Sequence, residues 1–345
     1  MISQLAQGGT FWMPQQASSY ASDVDNLFYF IYYVSLFFFV LIVGLMFMFI
    51  LLYRRRSEDQ VVSKASHNTP LEITWTILPS ILLVVMFWWG FKAYMVMRTT
   101  PENAYEIKVN AQKWSWEFVH PNGVSDSDLY IPLDTPIKLV MFSQDVLHSC
   151  FIPAFRAKRD VVPGRYADLS FTPTKVGEFP LLCAEYCGTS HSDMRATVHV
   201  RDKDGFLEYL KTADPFYEMT VEEFDEYLKG PEAFIEKNAE DPRFKRLRVP
   251  LEMGQELYTK KGCKQCHSLD GAAGTGPTWK GLYGEPVTFR DGSRIERVDD
   301  DYLRESMLDP HKRIVQGFEA VMPKTTLSDP QISVLISYIK SLKEH

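Results

Sequence analysis

Four side chains that bind soft metal ions lie within one short segment of the sequence, CAEYCGTSHSDM at residues 183–194. They are Cys183, Cys187, His191 and Met194, and their spacing lets a single tight turn direct all four at one point. His148, in DVLHSCFIP, could reach the same point from a neighbouring strand end. Two thiolates that bridge a pair of copper ions would use every one of these ligands.

Other chemistry remains open for this segment. A mononuclear blue-copper site needs two histidines, one cysteinate and a weak axial methionine, so one cysteine would be left over. Structural zinc would accept both cysteines with His148 and His191, but it has little use for Met194, and zinc-binding cysteines are usually closer together. A disulfide between Cys183 and Cys187 is the simplest alternative in an oxidising compartment.

A second set of ligands lies in KKGCKQCHSLDG at residues 261–272. The C-x-x-C-H spacing of Cys263, Cys266 and His267 is the attachment sequence of c-type haem, although alone it could belong to a zinc site or a redox pair. Met322, in VMPKTTLSD before a final amphipathic helix, can supply a second axial ligand, with His311 as the alternative. Axial His and Met are typical of an electron carrier.

Two apolar runs indicate that a membrane hairpin precedes these sites. The residues from Leu27 to Tyr53 include no charged side chain and exceed the roughly 20 apolar residues that a helix needs to cross a bilayer. The run from Ile73 to Phe91 also lacks charge, and Pro79 predicts a kink or a helix start there. We therefore predict transmembrane helices over about residues 27–53 and 73–97.

The distribution of basic residues predicts the orientation of this hairpin. Residues 1–26 contain no Lys or Arg, whereas the connecting loop contains Arg54, Arg55, Arg56 and Lys64. The positive-inside rule then places the loop in the cytoplasm. Both termini, and the domains that carry the metal ligands, are expected on the outer side of the membrane.

The remainder of the chain divides by pattern into three parts. Short alternating stretches such as YEIKVNA and PIKLVMF predict an antiparallel β-sandwich or barrel within residues 99–200. Residues 201–249 are rich in charge with helical spacing, and Thr220 with Glu223 forms a capping-box pattern. We interpret them as a charged helical linker, and residues 250–345 as the haem-bearing domain.

Charge and cysteine count exclude some functions. The formal net charge is −7, from 37 Lys and Arg against 44 Asp and Glu, which gives no electrostatic reason to expect a nucleic acid partner. Of the five cysteines, four belong to the two ligand-bearing segments described above. Cys150 is left over, and we predict a buried free thiol.

The region from about residue 20 to residue 200 resembles subunit II of haem-copper cytochrome c oxidases. The motifs that carry this resemblance are NTPLEITWTILP, LHSCFIPAFRAKRDVVPGRY and CAEYCGTSHSDM. The segment from about 250 to 345 resembles a class I cytochrome c domain, on CKQCH and the later MP pair. The two resemblances imply a two-helix transmembrane hairpin, an all-β cupredoxin-like sandwich with the dinuclear copper centre called CuA, and an all-α cytochrome c domain.

The same resemblance implies a role for each matching residue. In the copper centre Cys183 and Cys187 would bridge, His148 and His191 would each bind one copper, Met194 would be a weak ligand, and Glu185 would supply its backbone carbonyl. The Glu185 side chain would reach a magnesium ion at the boundary with subunit I, a role suited to a hard oxygen ligand. In the cytochrome domain Cys263 and Cys266 would carry thioether bonds, His267 and Met322 would be axial ligands, and the Pro277 carbonyl would orient His267.

Two further residues are assigned by the resemblance. Glu72 matches a glutamate near the mouth of a proton path into subunit I. The alternative interpretation of Glu72 is an ordinary residue at headgroup level in contact with water. Trp114 could receive electrons, but AQKWSWEFV interrupts the family's aromatic run with Lys113 and Ser115. Alternation of Trp114 with polar neighbours would equally suit a half-buried strand.

The function expected from these resemblances is that of subunit II of a terminal respiratory oxidase in a bacterial cytoplasmic membrane. The chain would relay electrons from an external donor, such as a cytochrome c or a donor respiratory complex, through its haem c to CuA. Subunit I would then reduce oxygen to water with proton translocation, and subunit III would be a further partner. The alternatives are the electron-input subunit of a CuA-type nitric oxide reductase and a membrane-anchored copper-delivery protein.

Overall fold

The computed structural model describes residues 9–57, 67–213, 216, 218–272, 274–325 and 327–342. It consists of two compact units: Met1–Pro101 with Ala154–Arg156, and Glu102–Pro153 with Ala157–His345. Each unit is described by itself below. Lys64, one of the basic residues behind the predicted orientation, lies outside the described residues.

The first unit contains two long helices, α1 (Ala21–Leu52) and α2 (Thr69–Arg98). Both are long and apolar enough to cross a membrane, and neither is buried within the protein. Helix α2 begins after Asn68, whose side-chain oxygen accepts a hydrogen bond from the Leu71 amide, and it continues through Pro79. The two predicted membrane helices are therefore present, and Pro79 neither starts nor ends the second one.

Helix α1 begins at Ala21 rather than near residue 27, and it includes Asp25. The Asp25 carboxylate is buried and accepts hydrogen bonds from Arg156 Nε and Nη2, each at 2.7 Å, and from Gln16 Nε2 at 2.9 Å. A buried carboxylate is tolerated when it is paired and hydrogen-bonded in this way. The helix can therefore include this charged residue, which the apolar run alone could not indicate.

The second unit begins with a sandwich of two five-stranded sheets. Its strands are β1 (Tyr105–Gln112), β2 (Ser115–Val119), β3 (Ser125–Asp126), β4 (Leu129–Pro132), β5 (Ile137–Ser143), β6 (His148–Ile152), β7 (Ala157–Val161), β8 (Ala167–Phe171), β9 (Gly177–Cys183) and β10 (Arg195–Arg201). The sheet orders are β3-β2-β1-β5-β8 and β4-β10-β9-β6-β7. Alternate residues of each strand, such as Ile137, Leu139 and Met141, fill the space between the sheets.

The pairing is not wholly antiparallel, so the prediction of an antiparallel sandwich was wrong in this detail. β1 pairs with β5 in parallel, and β10 pairs with β4 in parallel. Parallel neighbours need a crossover connection, and here the intervening strands of the chain supply it. Alternation in the sequence shows which face of a strand is buried, but it does not show the direction of the neighbouring strand.

The C-terminal half of the second unit is helical. It contains α3 (Lys203–Thr212), α4 (Val221–Lys229), α5 (Pro231–Lys237), α6 (Pro250–Lys260), α7 (Asp300–Leu308) and α8 (Asp329–Ser341), with a short ribbon of β11 (Val287–Thr288) and β12 (Arg294–Ile295). The capping box of Thr220 and Glu223 is present at the start of α4. Gly254 lets α6 pack closely on α8, since a Cβ at this position would lie 2.3 Å from Tyr338 Cβ.

The helices of the predicted linker pack into two different apolar cores. Phe206 and Tyr209 of α3 form a small core with Val124 of the sandwich. Tyr227 and Phe234, from α4 and α5, are instead buried in the same apolar core as α6 and α8. Residues 201–249 therefore continue both neighbouring cores.

Candidate metal and haem centres

The soft-ligand segment connects β9 to β10 at one end of the sandwich. Cys183 is the last residue of β9, and the Cys183 amide donates to the Met194 carbonyl at 3.2 Å, which closes the loop. His148 is the first residue of β6, the strand that pairs with β9. Gly188 turns the loop with φ at +123°, a conformation that favours glycine. Sheet pairing and the turn together bring the predicted ligands into one place.

The ligand atoms lie in van der Waals contact, centred on the two sulfur atoms. The distances are 3.8 Å between Cys183 Sγ and Cys187 Sγ, 3.9 Å from Cys183 Sγ to His148 Nδ1, 3.4 Å from Cys187 Sγ to His191 Nδ1, 3.8 Å from Cys187 Sγ to Met194 Sδ, and 3.3 Å from Cys183 Sγ to the Glu185 carbonyl. All six predicted donors are therefore assembled. The sulfur separation is far beyond the roughly 2.05 Å of a disulfide bond.

The donor chemistry of this cluster suits copper. Two cysteine sulfurs and two imidazoles are soft and intermediate ligands, and the addition of a thioether favours copper over zinc. His148, Cys183 and Cys187 are buried, and their ligand atoms lie within 4.8 Å of one another. The donor set of two sulfurs, two imidazoles and a thioether therefore fits the copper pair that the sequence predicted.

The two thiols differ in acidity. Burial raises the pKa of Cys183, but hydrogen bonds from His148 and from backbone groups outweigh burial and lower it to about 7. Burial and the neighbouring Cys183 charge raise the pKa of Cys187 to about 12. One proton therefore leaves readily and the second is retained, because two thiolates at this distance repel each other. A metal cation that binds here would displace the second proton.

Asp145 supports the cluster from behind, and sequence reasoning did not identify it. Its Oδ1 lies 2.8 Å from His148 Nε2, and its Oδ2 accepts from the Lys113 amide at 2.7 Å. A carboxylate on Nε2 leaves Nδ1 of His148 free to face Cys183, an arrangement that often orients metal-binding histidines. The same carboxylate fixes the turn that carries Trp114. The only available signal was its position three residues before His148.

Glu185 has the position that the sequence predicted for its backbone, and its side chain faces a lysine. Glu185 Oε1 lies 3.4 Å from Lys158 Nζ, and Lys158 also contacts Asp160 at 2.7 Å. Both Lys158 and Glu185 are about two-fifths exposed, so this pair is accessible from solvent.

The haem-attachment residues line an apolar cavity in the helical half. Cys263 and Cys266 lie on a short 3₁₀ turn after α6, and Gly262 before it adopts φ of +75°. Cys266, His267 and Met322 line one pocket that is partly open to solvent, with Trp279, Tyr302 and Leu303 among its walls. Both cysteines, His267 and Met322 also line an adjoining pocket. An apolar cavity with these four groups on its walls fits haem c.

The surroundings of His267 favour the tautomer with its proton on Nδ1. Its Nδ1 lies 2.8 Å from the Pro277 carbonyl, as the resemblance implied, and burial lowers the pKa of the imidazole. A neutral ring that donates through Nδ1 presents a lone pair on Nε2. Gly276 allows the backbone to approach, because a Cβ there would lie 2.8 Å from His267 Cε1. His311, the alternative ligand, is exposed and is not among the residues that line the pocket.

Trp114 lies between the two groups of ligands. Its indole Nε1 donates to the Cys187 carbonyl at 3.2 Å, and its ring packs where a Cβ on Gly188 would lie 3.1 Å away. The crevice beside Trp114 is also lined by Cys266 and Thr275 of the haem domain. Trp114 is only 7% exposed, and it lies between the 183–194 loop and the turn that carries Cys266.

Glu72 contacts the start of its own helix. Its Oε1 accepts a hydrogen bond from the Asn68 amide at 3.1 Å, so it helps to cap the start of α2.

Cys150 is fully buried and pairs in register with Cys183, and burial raises the pKa of its thiol to about 12. The prediction of a buried free thiol at Cys150 agrees with this environment.

Comparison with known families matches three consecutive parts of the chain. The transmembrane domain of cytochrome c oxidase subunit II matches residues 6–93, and the periplasmic domain of the same subunit matches residues 120–200. A cytochrome c family matches residues 251–343.

Individual relatives show the same likeness. Cytochrome c oxidase subunit 2 of Alkalihalophilus pseudofirmus is 30% identical over 308 residues, which is 86% of this chain and 80% of the relative. Cytochrome c oxidase subunit 2 of Synechocystis is 26% identical over 63% of this chain and 74% of the relative. The crystal structure of the periplasmic domain of cytochrome oxidase subunit II from Bradyrhizobium japonicum is 25% identical over 33% of this chain and 95% of that one, with a TM-score of 0.32.

Proposed function

Because this chain belongs to the cytochrome c oxidase subunit II family, we propose that it is the electron-input subunit of a terminal respiratory oxidase, with a fused haem c as its first electron acceptor. An external donor reduces the haem domain, and the electrons pass to the copper centre of the sandwich and then to subunit I. Subunit I reduces oxygen to water and translocates protons. The single observation that carries this proposal is the burial of Trp114 between the copper loop and the haem-attachment turn.

The chain's own residues would hold the copper pair as follows. Cys183, Cys187, His148 and His191 would hold the ions through their sulfur and Nδ1 atoms, and Met194 and the Glu185 carbonyl would be weaker ligands. When bound, the pair accepts and releases one electron at a time with little change in geometry. Asp145 holds the His148 ring in position, and the β6 to β9 pairing fixes Cys183. A rigid ligand set of this kind suits rapid electron transfer.

The haem domain would hold its group with four residues. Cys263 and Cys266 would attach the haem, His267 would bind it through Nε2 while Nδ1 donates to the Pro277 carbonyl, and Met322, which lines the same pocket, would be the second ligand. A haem held by His and Met would supply single-electron exchange. Burial among these walls lowers the pKa of His267, which favours the neutral ring.

Trp114 lies on the path between the two proposed sites. Its indole donates to the Cys187 carbonyl, and its ring borders the crevice that Cys266 also lines. A tether supplies an effective concentration on the order of millimolar, so the haem domain need not be captured from solution at each turnover. A fused haem domain is consistent with the interrupted aromatic run in AQKWSWEFV, because the chain then does not need that run to receive electrons from a diffusing cytochrome c.

The proposal extends to location and partners. The hairpin of α1 and α2 lies in a bacterial cytoplasmic membrane with its loop inside, so that both redox domains face the periplasm, where thioether haem attachment occurs. Subunit I and subunit III are the membrane partners, and a cytochrome c or a donor respiratory complex supplies electrons. Glu185 would bind magnesium against subunit I after release from Lys158, and Glu72 would lie at a proton path mouth.

Metal and haem analysis of the purified oxidase complex tests the proposal. Two coppers and one covalent low-spin haem on this chain are expected, with an EPR signal from one electron shared between two coppers. Cys187→Ser should abolish that signal, whereas Cys150→Ser should leave it intact. Zinc in place of copper, or a copper-free chain, would refute the relay. Unchanged proton uptake in Glu72→Ala would remove Glu72 from the proton path.

A further inference from the structure

Three consecutive residues before the first haem-attachment cysteine contact one edge of the sandwich. Lys260 Nζ lies 3.4 Å from Asp126 Oδ2, and Lys261 Nζ lies 3.4 Å from Glu117 Oε1. Gly262, the third residue, packs so closely on β2 that a Cβ would lie 2.9 Å from Ser115 Cβ. The contacts therefore directly precede Cys263 in the chain. On the sandwich they involve β2, the strand that directly follows Trp114.

These ion pairs are not ordinary surface pairs. The side chain of Lys261 is 8% exposed and that of Glu117 is 12% exposed, and Asp126 is 3% exposed. Exposed pairs contribute little to stability, but a buried charge that loses its partner is strongly unfavourable. Separation of the two domains would expose both members of each pair, and association requires that opposite charges meet in register.

Additional hydrogen bonds satisfy the same groups. Lys261 Nζ also donates to Ser125 Oγ at 3.1 Å, and Glu117 Oε2 accepts from Asn110 Nδ2 at 3.0 Å. Buried ion pairs are favourable only when their remaining hydrogen-bonding capacity is used in this way. The lysines lie at the C-terminal end of α6, where the helix dipole favours positive charge. The C-terminal end of α6 and its cap therefore present two cations where β2 and β3 present two anions.

We propose that these contacts form a docking clamp that holds the haem domain in one position on the sandwich, with Lys261 and Glu117 as positioning residues for electron transfer between haem and copper. The clamp is defined as Lys260, Lys261 and Gly262 against Ser115, Glu117 and Asp126. It rests on the proposed function, because it specifies how the two redox domains are held. The haem domain is then a fixed part of the relay rather than a carrier that swings on a tether.

Charge reversal in the full oxidase complex tests the clamp. Lys261→Glu places two carboxylates together and should loosen the docking of the haem domain by one to two orders of magnitude, in keeping with the loss of one partner of a buried charge pair. Hydrogen exchange at residues 115–119 and 125–126 should accelerate. The rate of electron transfer from haem to copper after photoreduction should fall about tenfold or more, in proportion to the docked fraction.

The paired exchange Lys261→Glu with Glu117→Lys is the decisive variant, because it restores opposite charges and should recover both protection and rate. Lys280→Glu is the matched control, since Lys280 is an exposed lysine of the same domain, and it should behave as wild type. If Lys261→Glu fails to attach haem, Glu117→Lys alone repeats the test from the sandwich side.

The outcomes separate the clamp from the proposed function. Single variants that leave both protection and transfer rate unchanged overturn the clamp, and so does a paired exchange no better than Lys261→Glu. Failure of the proposed function is different: the wild-type complex would lack copper or haem, or would show no transfer between them. In that case the hydrogen exchange of residues 115–119 still reports on the clamp by itself.

Discussion

Asp145→Asn should weaken copper binding through an effect on the orientation of His148. In the native chain one carboxylate oxygen faces His148 Nε2 at 2.8 Å, and the other accepts from the Lys113 amide at 2.7 Å. An asparagine keeps the shape but has only one accepting oxygen. Whichever way the amide lies, one of the two N–H groups faces a second donor.

The magnitude follows from the bond that is lost. A hydrogen bond to a charged group contributes about 1.5–3 kcal/mol, and removal of such a partner from a metal-binding histidine typically lowers metal affinity by about 10- to 100-fold. Those two ranges agree, since tenfold corresponds to about 1.4 kcal/mol. We therefore expect Asp145→Asn to bind copper about 10- to 100-fold less tightly than wild type.

The assay is competition for copper against a chelator of known affinity, with the EPR signal of the shared electron as a second measure. Asp168→Asn is the matched control, because Asp168 is an exposed aspartate on β8 of the same sandwich. An Asp145→Asn chain with wild-type copper affinity and an unchanged EPR signal would refute the reasoning, since the carboxylate would then not orient His148.

Three further predictions concern stability and ligand identity. Burial lowers the pKa of His120 from about 6.5 to about 4, so on acidification this side chain is protonated in the unfolded chain before it is protonated in the folded chain. The free energy of unfolding, measured by fluorescence, should therefore fall by about 3 kcal/mol between pH 6.5 and pH 4. His120→Gln should lack this loss. Gly254→Ala should destabilise the haem domain by about 1–3 kcal/mol, because the new methyl group collides with Tyr338, whereas thermal unfolding of the exposed neighbour variant Gln255→Ala should match wild type. Cys150→Ser should retain the full copper content by metal analysis, since Cys150 contacts the cluster only through strand pairing; a halved copper content would mean that this thiol is a ligand.

The grouping of the candidate ligands could be predicted from sequence, because the loop from Cys183 to Met194 and the Cys263 to His267 motif each contain several soft donors at short spacing. The choice of a copper pair over zinc or a disulfide came from the family resemblance. The membrane helices were equally accessible, since an uncharged run of this length has few alternatives. His148 was predictable only as a nearby strand residue, and the β6 to β9 pairing supplies the reason it reaches the loop.

The supporting contacts could not be predicted because they join residues that are far apart in the chain. Glu117 and Lys261 lie 144 positions apart, and Asp145 acts on the Lys113 backbone across two strands. Sequence patterns show that such residues are charged, but many charged residues on strands and helices are simply solvated. The parallel pairing of β1 with β5 was missed for the same reason, since period-two alternation contains no information about a partner strand.

Four aromatic side chains on and beside α4 and α5 affect how the cytochrome c domain could be transferred to another protein. Phe216, Tyr227, Phe234 and Phe244 share one apolar core with α6 and α8. A graft that began at Pro250 would carry the haem ligands intact but with a bare apolar flank, and it should aggregate or bind foreign surfaces. A graft that began near residue 216 would carry its own cover. The part of the chain that could be transferred intact is therefore longer than the haem-binding motif suggests, and its N-terminal boundary lies closer to the sandwich.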